Sequence, residues 1–381
     1  MRVLILSCNT GGGHNAAGRA LEEVFKDNGH EAEMLDYLCL AGDKVSKTVG
    51  NFYVETVKTA PGVFGAVYQL GMLVSRICKR SPVYYVNAIM AKYIKAYLKE
   101  NPADAIIMPH LYPAETITYM KRRGVKLPLT VAVMTDYTCI PFWEETNCDY
   151  YITPHESLND EIIKRGLPEE KLKPFGIPVS SVCGSGIKKS EARAQLGLDE
   201  RMKYILVSGG SMGAGNIWRL VNKLSASADN NEKIILICGS NRKLYSRFKK
   251  ASLKGVTVKG HVNNMPLYLR ACDIIYTKPG GLTSTEAAVS GIPIVHTSPI
   301  PGCETKNRKF FKENGLCITA HTVDGMVKKG MELLRDSERC SEIVRRQKEV
   351  INKNSARDIY NFVIENSCCS NTEINIKSLN K

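Results

Sequence analysis

Two short apolar runs, Arg2–Leu6 and Asp273–Tyr276, each lead into a glycine turn and then a helical stretch, and they lie nearly a whole domain apart. The first turn is Gly11-Gly12-Gly13-His14; the second is Thr277-Lys278-Pro279-Gly280-Gly281-Leu282-Thr283-Ser284-Thr285-Glu286. With no side chain at Gly280 and Gly281, an oxyanion can approach the backbone amides closely, and the unsatisfied N–H groups of the helix start meet it. Such turns suit a phosphate. Together they predict an α/β chain with two nucleotide-fold halves facing each other across a cleft.

The intervening sequence alternates strand-like and helical runs, which is the pattern of parallel sheets with crossover helices. In the first half, strands are expected at Val3–Leu6, Glu31–Leu35, Ala105–Met108, Leu129–Met134 and Tyr150–Thr153, with helices beginning near Asn15 and Glu115. The second half offers Tyr204–Val207, Lys233–Cys238, Val256–Lys259, Asp273–Tyr276, Ile292–His296 and Leu316–Thr319. Between them, Phe175-Gly176-Ile177-Pro178-Val179 leads into the small, polar run Ser180–Ser185, which has linker composition. The expected domains are therefore 1–175, a linker at 176–190, and 191–340, followed by helices at 341–366 returning to the first domain and a flexible tail at 367–381.

Charge is the unusual part of the composition. Lys and Arg number 52 against 38 Asp and Glu, a formal +14, which favours an anionic partner. The thirteen cysteines show no paired or metal-ligand spacing, so the reading expects a reducing cytosol and no metal site. It also expects no export signal and no membrane span, because Arg2 enters a strand directly and no apolar run reaches about 18 residues. The stretch Gly62–Lys99 breaks the crossover pattern. It interleaves apolar groups with Arg76, Lys79, Arg80, Lys92 and Lys95, which suits either packed amphipathic helices or a membrane-docking surface.

Several residues are candidates for chemistry. Gly11, Gly13 and Ala16 satisfy a dinucleotide-type glycine turn, with Asp36 as the matching ribose ligand. His14 falls at a helix entry above a strand end, where it is either a proton acceptor or a structural histidine. Asp136 follows the strand Leu129–Met134 and is either functional or a turn aspartate. Ser208-Gly209-Gly210-Ser211-Met212-Gly213 is a further glycine turn able to approach a diphosphate. Glu286 is either a ribose ligand or half of a capping box with Thr283 as N-cap. Glu304 and Asn307 follow a proline-shaped loop and are placed to read sugar hydroxyls; Lys278 is placed to neutralise phosphate.

Taken in order, Gly11-Gly12-Gly13-His14, Thr135-Asp136-Tyr137, Gly176-Ile177-Pro178, Gly260-His261-Val262-Asn263-Asn264-Met265, Lys278-Pro279-Gly280-Gly281 and Pro301-Gly302-Cys303-Glu304 carry a resemblance. The chain resembles the family of monogalactosyldiacylglycerol synthases and bacterial processive diacylglycerol glucosyltransferases, relatives of the lipid II-forming N-acetylglucosaminyltransferase. The resemblance implies the GT-B fold, with a C-terminal helix crossing back, and inverting hexose transfer from a UDP-sugar to diacylglycerol at an anionic membrane surface. It implies no cofactor, no active-site metal and no nucleic acid, with the protein cytoplasmic and peripheral to the inner face of the cell membrane.

The resemblance also implies roles for particular residues. Donor contacts fall on Gly209, Gly210, Val262, Met265, Lys278, Gly280, Gly281, Leu282, Thr283, Glu286, Glu304 and Asn307. The uracil would lie near Val262, the diphosphate at Gly280–Thr283, the ribose at Glu286, and the sugar at Glu304 and Asn307. Acceptor contacts fall on Gly12, Gly13, Tyr137 and Trp143, with His14 or Asp136 as the base. Two departures stand out: Cys303 replaces a glutamine common in the family, and Thr138–Phe142 carries no histidine ahead of Trp143. Glucose and galactose both remain open, and transfer of N-acetylglucosamine to a polyprenyl-linked peptidoglycan precursor is the alternative. A nucleotide-dependent oxidoreductase would use Asp36 but leave the motifs at 280–307 idle.

Overall fold

The computed structural model describes residues 1–9, 12–48, 66, 69–74, 77, 80–210 and 216–378, with side chains as far as 367. Gly11, Arg76, Lys79 and Ser211–Gly213 lie outside the described residues. The chain divides into two compact units, Met1–Ser180 with Asn354–Lys381, and Ser181–Lys353.

The first unit is built on a parallel sheet of β1 (Arg2–Ser7), β2 (Glu31–Asp36), β3 (Ala105–Met108), β4 (Leu129–Val133), β5 (Tyr150–Ile152) and β6 (Leu172–Lys173), in the order β2-β1-β3-β4-β5-β6. Strands β3 and β4 are buried at every residue, as expected of a sheet covered on both faces. β6 has no counterpart among the expected strands, because two residues at a sheet edge leave no periodic signal. The chain moves from β1 to β2 on one side and returns to β3 on the other, so the topological switch lies between β1 and β3.

Helix Ser355–Ser378 seals this sheet: Ile359 and Val363 are fully buried among Val3, Ile5, Phe25 and Val131. Ser355 Oγ donates to the Gly176 carbonyl at 2.8 Å, and Tyr360 packs on Phe25 at 5.1 Å. The return begins later than residue 341. Helix Ser337–Val350 belongs to the second unit, where Ile343 enters its core, and residues from Asn354 onward belong to the first. The helix also continues to Ser378 where a flexible tail from 367 was expected, since neither Gly nor Pro interrupts 367–378.

The second unit repeats the plan with β7 (Lys203–Ser208), β8 (Glu232–Ile237), β9 (Val256–Lys259), β10 (Ile274–Thr277), β11 (Ile294–His296) and β12 (Cys317–Thr319), all parallel, in the order β12-β11-β10-β7-β8-β9. Its switch lies between β7 and β10. Helix Val323–Arg335 packs so closely against β10 that a Cβ at Gly330 would stand 1.9 Å from Tyr276 Oη. Gly330→Ala is therefore expected to lower unfolding stability by about 1–3 kcal/mol, the cost of overpacking. Urea denaturation measures it, with partial recovery in a Tyr276→Phe background because the nearest clashing atom is then absent. A wild-type midpoint for Gly330→Ala would contradict this packing.

Candidate active site

In the first unit, the loops that leave β1, β3 and β4 bring polar groups together beside the switch point. His14 lies in the first turn of helix Gly12–Asp27, with Gly12 and Gly13 opening that helix. Its Nδ1 is 2.9 Å from the Pro109 carbonyl and 2.8 Å from Thr135 Oγ1. A carbonyl accepts and cannot donate, so Nδ1 carries the proton and Nε2 keeps its lone pair. This is the tautomer a general base requires.

Burial lowers the His14 pKa below the ordinary imidazole value, while the Asp136 charge and the Pro109 carbonyl oppose the shift. The structure thus brings His14 and Asp136 into one electrostatic unit. Tyr137 and Trp143, both implied as acceptor contacts, are only 2% and 3% exposed. Trp143 packs edge-on to Tyr151 at 6.5 Å. Rings so enclosed shape a wall and offer no open face to a ligand.

A second imidazole was missed. His110 caps helix Leu111–Arg122, and its ring meets His14 edge-on with centroids 4.5 Å apart. Its Nδ1 accepts from the Tyr112 amide at 3.1 Å, which places the proton of the neutral ring on Nε2. Burial, followed by the neighbouring His14, pushes the His110 pKa well below the ordinary value. The rule that draws attention to Asp136, a polar group just past a buried strand, applies equally to His110 after β3.

A base works in its neutral form, so a lowered pKa extends its working range toward acid. With His14 as the expected base, the acid limb of the pH–rate profile is expected below pH 6.5, the ordinary imidazole value. Asp136→Asn removes a charge that favours the imidazolium, and should move that limb further toward acid while lowering the rate. A pH–rate series on both proteins checks this; an acid limb above pH 6.5 would contradict it.

In the second unit, the loops after β7, β10 and β11 converge in the same way. Gly280 is the N-cap of helix Gly281–Val289, with φ −72° and no side-chain cap. The first helical amides therefore have no intrahelical partner and face outward with the positive end of the dipole. Lys278 is ion-paired with Glu304, whose other oxygen accepts from the Ile300 amide at 2.8 Å. Both charges flank the helix start: a Cβ at Gly280 would be 3.9 Å from Lys278 Nζ and 4.0 Å from Glu304 Oε1. Gly210 has φ +71°, and a Cβ there would stand 2.7 Å from Lys278 Cε, so glycine is what lets the two loops meet. Gly209 is buried beside it.

Thr283 is inside the helix and not its N-cap, which removes the capping-box reading of Glu286. The helix starts at Gly281 because Gly280, after Pro279, already supplies the extended cap residue. Gly281 and Leu282 are buried, whereas Thr283 and Glu286 are half-exposed. Asn307 is fully buried on helix Cys303–Glu313, one turn beyond Glu304. His296, at the end of β11, lies 3.0 Å from Ser284 Oγ and fastens this helix to the sheet. Burial and then the charge of Arg308 hold its pKa down to about 3, so it stays neutral.

Val262 and Met265 stand past β9, which β7 and β8 separate from β10. At roughly 4.8 Å per strand, that span is about 14 Å. A ligand touching both places must be extended, with one end at β9 and the other at the β10 helix start. Asp36 is engaged elsewhere. It caps the turn Tyr37–Ala41, accepting from the Leu38 amide at 3.2 Å and from Ser46 Oγ, so its carboxylate is not the ribose ligand of a dinucleotide turn.

The model for monogalactosyldiacylglycerol (MGDG) synthase matches residues 14–179, and that for glycosyl transferases group 1 matches residues 188–350. A processive diacylglycerol beta-glucosyltransferase from Bacillus pumilus is 25% identical over 380 residues, covering 96% of this chain and 95% of that one. The chloroplastic monogalactosyldiacylglycerol synthase of Spinacia oleracea is 30% identical over 333 residues, covering 83% of this chain and 62% of that protein. Among solved structures, MurG of Acinetobacter baumannii superposes with a TM-score of 0.58 at 13% identity, covering 96% of this chain and 99% of that one.

Two parallel-sheet units of this kind make up the GT-B fold, and the family match and the named relatives make the chain a UDP-sugar-dependent glycosyltransferase. Its first half matches the monogalactosyldiacylglycerol synthase model, and nearly its whole length is similar to processive diacylglycerol beta-glucosyltransferases.

Proposed function

We propose that the chain transfers a hexose, with inversion, from a UDP-sugar to diacylglycerol at the inner face of the cell membrane. The supporting observation is the glycine-opened helix start at Gly280, free of a side-chain cap and flanked by Lys278 and Glu304. The acceptor class rests on the names of the relatives, which are diacylglycerol glycosyltransferases.

The reaction proceeds by attack of the lipid hydroxyl oxygen on the anomeric carbon while His14 Nε2 takes the hydroxyl proton. The bond from that carbon to the β-phosphate oxygen breaks, and UDP leaves with the electron pair. The amides at Gly281–Thr283 stabilise the charge that develops on the departing phosphate. Extended along the sheet, UDP would place uracil near Val262 and Met265, ribose at Glu286, and its sugar toward Glu304 and Asn307. The test is product separation after incubation with radiolabelled UDP-glucose, UDP-galactose or UDP-N-acetylglucosamine. Diacylglycerol vesicles and a polyprenyl-linked acceptor serve as alternative acceptors. Hexosyl-diacylglycerol is the expected product; label only on the polyprenyl acceptor would replace this reading with the alternative.

The membrane surface in this proposal is the region around helix Pro82–Ala88. Of eight exposed large hydrophobic residues among those described, six lie between positions 70 and 89 of the sequence: Leu70, Leu73, Ile77, Tyr85, Val86 and Ile89. At its back the helix is held by Asn87, which joins Tyr37 to Glu115, a carboxyl that burial pushes up to about 8. The outward face therefore projects from a fixed base, with Arg80 and Lys92 nearby to meet anionic headgroups. No helix among the described residues is long and apolar enough to cross a membrane. Flotation with anionic vesicles should carry the protein upward more than flotation with neutral ones, and Val86→Asp with Ile89→Asp should reduce the effect several-fold. Equal, negligible binding to both vesicle types would reject this surface.

A further inference from the structure

The second unit holds a cavity of about 570 Å³ at the opposite ends of its strands from the Gly280 turn. It opens where β7 and β10 begin and where β11 is entered: Lys203, Asp273 and Pro293 line it. The Gly280 seat lies past the carboxyl end of β10, so one small ligand cannot fill both. Its volume falls within the roughly 300–1,000 Å³ common for small-molecule sites.

The charges of the lining do not cancel. Asp273 is already saturated: one oxygen pairs with Lys189, and the other receives Arg193 Nη2 at 2.8 Å and the Tyr204 amide at 2.6 Å. Arg345 is likewise engaged, by Glu342 at 2.7 Å and by Glu349. Two ammonium groups have no carboxylate within ion-pair distance among the described residues, although Glu232, opposite Lys203 on β8, feels its charge. Lys203 donates only to the neutral carbonyl of Leu334 at 2.9 Å, and Lys348 has no partner among the described residues. Pro293, Leu334 and Val344 add apolar lining to the same cavity, with Ser337 and Ser341 offering hydroxyls. A cation pair beside an apolar wall selects an anion that carries an apolar body, since a bare anion leaves the wall wet and a neutral apolar molecule leaves the ammonium groups unpaired.

We infer that this cavity is a second binding site, separate from the donor seat, for a small amphiphilic organic anion. Its floor includes helix Ser337–Val350, the last element before the chain passes to the first unit at Asn354.

The experiment titrates the full-length protein with octyl phosphate, inorganic phosphate and octanol by calorimetry, and repeats each titration with saturating UDP. Octyl phosphate is expected to bind with one site, inorganic phosphate and octanol each at least about tenfold more weakly, and UDP is expected not to compete. Lys348→Glu, on an exposed side chain, should weaken octyl phosphate roughly tenfold by reversing one contact charge. Val344→Trp should weaken it several-fold by occupying part of the apolar lining. Unchanged UDP affinity in both variants shows that the unit is still folded and separates this test from the transfer reaction. Competition by UDP, equal binding of inorganic phosphate, or undiminished binding in both variants would each overturn the inference.

Discussion

Replacing His14 by alanine is expected to lower kcat for lipid glycosylation by roughly 10²–10⁴-fold, the range for loss of a positioned general base, or about 3–5 kcal/mol of barrier. The expectation comes from the way the ring is held. With Nδ1 engaged by Pro109 and Thr135, the side chain has one orientation and one free lone pair, at Nε2. UDP affinity should not change, because the proposed donor contacts belong to the other unit. His14→Gln is informative beside it: glutamine can donate to the Pro109 carbonyl but cannot take a proton, so it should be as inactive as alanine. Wild-type turnover in either variant would remove His14 from the reaction.

The second large effect is expected at Gly280. Its φ of −72° suits any residue, and an added Cβ meets nothing nearer than 3.9 Å. Gly280→Val should therefore fold normally and yet place a branched side chain where a diphosphate must approach the amides. UDP affinity should drop by about two orders of magnitude, near 3 kcal/mol, by calorimetry. Because the unliganded protein has room for the added Cβ, an unchanged urea midpoint alongside such a loss reports on ligand approach and not on misfolding. Retention of UDP affinity would mean that the phosphates sit elsewhere. Gly210 differs in kind: its φ of +71° and the 2.7 Å approach of Lys278 Cε make any substitution there a strain on the free protein.

Eleven of the strands are legible in the sequence because each is a short apolar run ending in a turn, and burial on both sheet faces makes such runs continuous. β6 is not, being two residues paired only at an edge. Helix starts were read a few residues late: at Asn15 for Gly12, and at Glu115 for Leu111. Glycine and a capping histidine begin those helices, and neither carries the apolar period that marks a helix interior.

For the candidate site, the glycine turns and His14 stand out because backbone chemistry is recorded directly in the sequence, and their roles belong to the proposal. Asp36 and Glu286 could each be read two ways. The Leu38 amide and Ser46 claim Asp36, and the start of the helix at Gly281 removes the capping-box reading of Glu286, leaving its ribose role to the proposal. His110 and the Pro109 carbonyl become meaningful only when β3 lies beside β1, a neighbour relation across about a hundred residues that no local pattern encodes.

The most direct measurement is a crystal structure of the protein with UDP. The account predicts the diphosphate against the amides of Gly281–Thr283, with the ribose at Glu286 and the uracil toward Val262. A diphosphate lodged at the Gly12–His14 turn, or anywhere other than the start of helix Gly281–Val289, would contradict it.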